Sequence, residues 1–184
     1  MRVITGEARG RKLKTLDGLD VRPTTDRVKE GLFNIIQFDL PFSRFLDLFG
    51  GSGQIGIEAL SRGAEYAVFV DESRAAQQVI KENLQSTGFY RKSKVVAMEA
   101  KAYLSGTKER FQIAFLDPPY SKGILQKVLP GVPEVMAPGG IIICEHLKEE
   151  VLPEEIGAYV LKRVYAYGRI RLSLYREKET GEEN

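Results

Sequence analysis

The chain has 184 residues, the size of one ordinary domain, and its 43% hydrophobic and 28% charged residues supply a packed core without any signature of global disorder. The net charge of +2 selects no partner, a lone Cys144 excludes an internal disulfide framework, and Cys144 with the lone His146 cannot furnish a Cys/His zinc site, so no metal is expected. The opening MRVITGEARGRKL has no apolar h-region and no run approaches the ~20 apolar residues of a membrane span, so a cytoplasmic protein without membrane association is expected.

Residues 1–20 read as a short β-ribbon: VIT, a GEARG turn, then RKLKTL. In RPTTDRVKEGLFNIIQF, Pro23 and the Thr24, Thr25, Asp26 cluster are helix-start chemistry. Val28, Leu32, Ile35 and Ile36 then recur at helical spacing, and Pro41 ends the helix. From residue 45 short apolar runs alternate with amphipathic segments. Strands are expected at FLDLF (45–49), YAVFVD (66–71), KVVAM (94–98), FQIAFLD (111–117) and GIIICEH (140–146), with helices at 54–62, 73–87, about 99–106 and 122–136. Runs of Val, Ile and Phe without polar alternation suit strands covered on both faces, as in a parallel sheet. AYVLKRVYAYG and IRLSLYRE, joined at Gly168, read as an antiparallel hairpin closing that sheet.

The expected fold class is therefore α/β, a Rossmann-like and mostly parallel sheet with a C-terminal antiparallel hairpin, the layout of class I methyltransferases. Residues 1–20 would be a basic β-ribbon extension, 21–176 the catalytic domain and 177–184 a disordered acidic tail. Basic residues are unevenly spread: 1–14 hold five against Glu7, and 162–176 hold five with no acid. Brought to one side they would attract phosphate; the competing reading is Lys and Arg guarding strand edges against aggregation.

Asp47-Leu48-Phe49-Gly50-Gly51-Ser52-Gly53 sits where the first strand turns into a helix. Its glycines let backbone turn sharply and approach a ligand, while the helix start offers free N–H groups. Gly51 to Gly56 also fits the G-x-G-x-x-G string, so the pattern alone does not separate a dinucleotide from another adenosyl ligand. Asp47 tilts the balance: a carboxylate there suits the ammonium of S-adenosylmethionine and repels pyrophosphate. The competing reading is a tight turn capped by Ser52. Asp71, followed by Glu72, ends the second strand where a carboxylate accepts ribose hydroxyls, or simply precedes a helix capped by Ser73. Glu99, with the Ala100 N–H beside it, follows the third strand and faces the adenine amino group in the same scheme.

Asp117-Pro118-Pro119-Tyr120 follows the apolar FQIAFL directly. Two prolines remove donors and stiffen the chain, so the Pro118 carbonyl and the Asp117 carboxylate are presented rigidly, with an aromatic ring behind them. Two acceptors and a stacking surface fit a nucleobase carrying an exocyclic amine.

GEARGRKL, RPTTDRVKEGLFN, DLFGGSGQIGIEALSRGA and FLDPPY, in this order over about residues 1–175, resemble the bacterial 16S rRNA guanine-N2 methyltransferases of the RsmD type. DPPY is shared with adenine-N6 DNA methyltransferases, the alternative reading, so RPTTDR carries the substrate assignment. A dehydrogenase-like or purely cofactor-sensing module is the third reading, and DPPY argues against it. The resemblance implies S-adenosylmethionine as cofactor, held by Asp47, Phe49, Gly50, Gly51, Ser52, Gly53, Asp71, Glu72, Glu99 and Ala100, with S-adenosylhomocysteine as product. It implies catalytic roles for Asp117, Pro118, Pro119 and Tyr120, and 16S rRNA within a small-subunit assembly particle as partner, with no obligate protein partner. The chain departs from the usual pattern with Gly50 for Ala and Ser73 for Asp. Arg9, Arg11, Lys12, Arg22, Arg169 and Arg171 are the expected RNA contacts. Thr24 and Thr25 border the pocket or cap the helix. Cys144 and His146 are read as structural, and Tyr165 and Tyr167 as core packing.

Overall fold

The unalternated apolar runs become the strands of one sheet, buried on both faces in its centre and partly exposed in the edge strand over 93–97. In a computed structural model that describes residues 1–17, 24–120 and 122–181, they form β1 (Arg44–Asp47), β2 (Tyr66–Asp71), β3 (Ser93–Ala97), β4 (Phe111–Leu116) and β5 (Met136–Leu147). These five are mutually parallel. β6 (Glu155–Ile156), β7 (Tyr159–Tyr167) and β8 (Ile170–Glu177) complete an eight-stranded sheet in the order β3-β2-β1-β4-β5-β8-β7-β6. β8 is antiparallel to both of its neighbours, β5 and β7. The sheet is the Rossmann-like, mostly parallel arrangement with a terminal hairpin that the sequence predicts; the two-residue β6 is an addition.

Helices α1 (Asp26–Ile35), α2 (Gln54–Ser61) and α3 (Arg74–Thr87) cover one face, and α4 (Ala100–Gly106) and α5 (Ile124–Val128) the other. Alternate strand residues serve the two layers: Phe45, Phe69, Ile113 and Ile143 pack on the α1–α3 side, Leu46, Val68, Ala114 and Ile142 on the α4–α5 side. The strand order reverses between β1 and β4, which opens a crevice at their carboxyl ends.

Several boundaries differ from expectation, each for a local reason. The helix expected over 122–136 is only the five residues of α5, followed by 3₁₀ turns at Leu129–Gly131 and Pro133–Val135, because Pro130 and Pro133 have no N–H to continue the ladder. α1 stops at Ile35, ahead of Pro41, as the Asp39 and Leu40 N–H groups close a turn on the Ile36 carbonyl. Of the ribbon expected over 1–20, residues 18–20 lie outside the described residues, and among residues 1–17 it reduces to a single antiparallel bridge, Arg2 with Lys12. It is also no detached extension. Val3, Ala8 and Leu13 lie in the main core, and the Ile4 and Thr5 N–H groups donate to the Glu58 carboxylate in α2 at 2.9 and 3.0 Å. Glu58, itself fully buried, also pairs with Lys29 at 3.2 Å and Arg62 at 2.9 Å. At the other end Glu177 belongs to β8 and the Lys178 N–H donates to the Ala158 carbonyl, so the expected acidic tail begins later than 177. Arg22 and residues 182–184 lie outside the described residues.

Candidate active site

A cleft of about 990 Å³ occupies the crevice at the carboxyl ends of the strands. Its walls are the turn from Asp47 to Ser52 after β1, Asp71 to Ser73 after β2, Glu99 to Lys101 after β3, and Asp117 to Tyr120 after β4. The glycine turn and the DPPY loop, distant in sequence, thus face one another across a single space.

The glycine turn requires its glycines. Gly51 and Gly53 have φ of 57° and 82°, the left-handed region that side chains disfavour. A Cβ at Gly51 would meet nothing within 4 Å, whereas one at Gly56 would stand 2.3 Å from Phe69 Cε1. The first position therefore opens the backbone to a ligand, and the last lets α2 lie close on β2. The Gly51 N–H donates to Asp71 Oδ2 at 3.0 Å, and Asp71 Oδ1 accepts the Ser73 N–H at 2.9 Å. Asp71 thereby braces the turn while each of its oxygens retains acceptor capacity for a ligand hydroxyl. Asp47 is buried and accepts the Gly56 N–H at 3.1 Å. Burial pushes its carboxyl well above the usual carboxylate range; the Gly56 hydrogen bond opposes that rise and the Asp71 charge adds to it. A cation against Asp47 would reverse the shift.

Ser52 is not the helix cap: Gly53 holds that position with no side-chain bond, and the Ser52 hydroxyl faces Met1 Sδ at 3.6 Å. Ser73 does cap α3, accepting from the Ala76 N–H. Glu99 caps α4, its two oxygens accepting the Lys101 and Ala102 N–H groups at 3.1 Å, with Ala100 buried beside it at the cleft wall. Phe49, Gly50 and the exposed Glu72 also line the cleft.

At the opposite wall Asp117 is half-buried, Pro118 buried and Pro119 exposed. The Tyr120 hydroxyl donates to Glu145 Oε1 at 3.0 Å. Thr24 Oγ1 lies 3.5 Å from Asp117 Oδ2 and 3.4 Å from Glu145 Oε2. Thr24 thus belongs to the pocket, while Thr25 caps α1 by accepting from the Val28 N–H. Burial pushes the Asp117 carboxyl well up, the Glu145 and Asp47 charges add to this, and the Thr24 hydroxyl opposes it. Burial also raises Glu145 to about 7, against the pull of the Tyr120 and Thr24 hydroxyls. Sequence reasoning passed over Glu145. Its signal is an acid inside the apolar run GIIICEH, on a strand that has no solvent face.

His146 and Cys144 are structural: the imidazole bonds Ser173 Oγ at 2.7 Å and the Leu147 carbonyl at 2.8 Å, and burial holds the Cys144 thiol protonated. Tyr165 and Tyr167 pack against the main core. The basic residues divide. Of the five described residues expected to meet RNA, only Arg169 lines the cleft. Arg171 turns back to the Gly168 and Ile170 carbonyls. Arg9, Arg11 and Lys12 are exposed, and the turn carrying Arg9 is tied to Ser61 at the far end of α2. Lys101, Lys122 and Lys127 line the cleft instead.

The model of a protein family described as "Conserved hypothetical protein 95" matches residues 1–176. The chain is 35% identical over 184 residues to ribosomal RNA small subunit methyltransferase D of Escherichia coli strain K12, covering 99% of this chain and 92% of that one. A solved structure of Escherichia coli yhhF superposes with a TM-score of 0.85 at 35% identity, over 97% of this chain and 98% of that one. An RNA methyltransferase from Salinibacter ruber, solved with S-adenosyl-L-homocysteine, shares the fold at a TM-score of 0.67 and 16% identity, over 89% of this chain and 98% of that one.

Proposed function

Since the chain belongs to the family described as Conserved hypothetical protein 95, the RsmD-type methyltransferases, we propose that it transfers a methyl group from S-adenosylmethionine to the exocyclic N2 amine of a guanine in 16S rRNA. The observation that carries this reading is the single cleft walled by the glycine turn on one side and Asp117 to Tyr120 on the other. The donor set fits the cofactor: left-handed glycines bare the backbone, Asp71 keeps acceptor capacity for ribose, and buried Asp47 suits the methionine ammonium. Glu99 and Ala100 border the adenine end. When bound, S-adenosylmethionine supplies the methyl as a sulfonium-activated carbon.

The chain's own residues supply orientation and proton handling. An exocyclic amine is a weak nucleophile because its lone pair is delocalised into the ring. The Asp117 carboxylate and the Pro118 carbonyl accept its two N–H hydrogens, which favours a pyramidal nitrogen with the lone pair directed into the cleft. The Tyr120 ring packs on the base face, and Asp117 holds the proton the nitrogen sheds as its new bond forms. Arg169 and the cleft lysines meet phosphate at the mouth.

Incubation with S-adenosylmethionine and undermethylated small-subunit particles, followed by mass mapping of nucleosides, is expected to yield N2-methylguanine in 16S rRNA. D117A should keep cofactor affinity while transfer falls on the order of 10²- to 10³-fold. Methyl placed on an adenine amine or on DNA would reject the substrate assignment, and a D117A chain working at full rate would reject the mechanism.

A further inference from the structure

Asp117 and Tyr120 are held by a group from outside their own loop. Glu145, on β5, is 2% exposed and reaches the Tyr120 hydroxyl at 3.0 Å. Thr24, just before α1, stands between Glu145 and Asp117 at 3.4 and 3.5 Å. A hydroxyl has one hydrogen to donate. When Thr24 donates to one carboxyl, the other completes its contact only by keeping a proton, so the three groups exchange protons as a unit. Among the described residues the charge that acts on Asp117 from outside this unit is acidic, Asp47 at the end of β1. From β8 the residue opposite Glu145 is Leu172. Lys29 of α1 is engaged with Glu58 and the Arg2 carbonyl, Arg171 with the hairpin carbonyls, and His146 with Ser173. Among the described residues neither Asp117 nor Glu145 forms an ion pair.

We propose that Glu145 is a positioning residue of the transfer site, gripping the Tyr120 hydroxyl and sharing the Thr24 hydroxyl with Asp117, so that base platform and amine acceptor are locked as one unit. This rests on the amino-methyltransferase reading above. Without Glu145 the aromatic ring loses a charge-assisted tether, and Asp117 loses the neighbouring negative charge that resists its ionisation.

The test is steady-state methyl transfer to undermethylated particles on both sides of neutral pH, with cofactor affinity and melting temperature measured alongside. E145Q, which keeps the size and one acceptor oxygen, should lower the plateau kcat ~10- to 100-fold through misplacement of the ring. Its acid limb should move to lower pH, because Asp117 ionises more readily beside a neutral amide. T24V should move the acid limb the other way, since it removes a hydroxyl that favours ionised Asp117; it carries the test alone if E145Q does not fold. A wild-type rate and profile in E145Q overturns the proposal, as does a lowered plateau with an unmoved acid limb in both variants. A wild-type chain that methylates no particle sinks the underlying reading, and this one with it.

Discussion

Removal of the Glu58 charge is expected to loosen the whole amino-terminal segment. Glu58 and Lys29 are both fully buried, and the one carboxylate serves Lys29, Arg62 and the N–H groups of Ile4 and Thr5. E58Q keeps the volume and one acceptor but strands the Lys29 ammonium, a loss of ~3–5 kcal/mol for a broken buried pair. One amide of the segment is left facing an NH₂, a further ~1–3 kcal/mol. The two share a site and do not add fully, so a destabilisation on the order of 5 kcal/mol is expected, against ~5–15 kcal/mol for a whole domain. Burial already lowers the Lys29 pKa while Glu58 holds it up, so in E58Q it falls further. The unfolded chain then binds more protons than the folded one, and the deficit should narrow as pH rises. Guanidinium unfolding followed by far-ultraviolet circular dichroism reads this directly, and K29M/E58Q, with no stranded ammonium, should recover most of the loss. A loss in E58Q below ~1 kcal/mol, or a double variant no more stable than E58Q, refutes the reasoning. Met1, Thr15 and Leu16 line the cleft, so cofactor affinity should fall together with stability.

Glu145 is held at about 7 in the fold against an ordinary 4.5, so its contribution is complete below 4.5 and lost as pH rises through about 7. Asp47 and Asp117 shift in the same direction, and the melting temperature of the cofactor-free protein should therefore decline from mildly acidic to mildly alkaline pH, with a shallower decline in E145Q. A melting temperature that rises over this interval would contradict it. R169A should reduce the slope of log affinity for RNA against log salt by ~0.7–0.9, one phosphate contact, while R9A changes it less. Equal slopes for R169A and wild type would remove Arg169 from the interface.

The sheet was legible because its strands are unalternated apolar runs separated by amphipathic ones, a pattern that survives without tertiary information. YAVFVD matches β2 residue for residue. The loops at strand ends were legible for a different reason: Gly51, Gly53 and the two prolines of DPPY have backbone demands that composition reveals. What escaped depends on contacts between remote segments. The helix expected over 122–136 has the apolar content of a helix but two prolines inside it. The ribbon over 1–20 has turn chemistry, yet its geometry comes from Glu58, some fifty residues away. Thr24 and Thr25 are adjacent and alike, and what separates the pocket group from the cap is the placement of Asp117 and Glu145 against Thr24. Charge clusters were the least informative, since Arg9 and Arg169 belong to similar basic blocks but point to different ends of the molecule.

The placement of β8 between β5 and β7 has a consequence for how the molecule is made. Residues 170–177 come later in sequence than every other strand, yet they are interior to the sheet. Until that stretch leaves the ribosome, the flank of β5 stays an unzipped seam, and Leu172, Leu174 and Tyr175 are missing from both layers of the interior. Cooperative closure of the sheet must therefore wait for residues 170–177. A nascent chain arrested ahead of residue 170 should remain open to protease, however complete its glycine turn and DPPY loop.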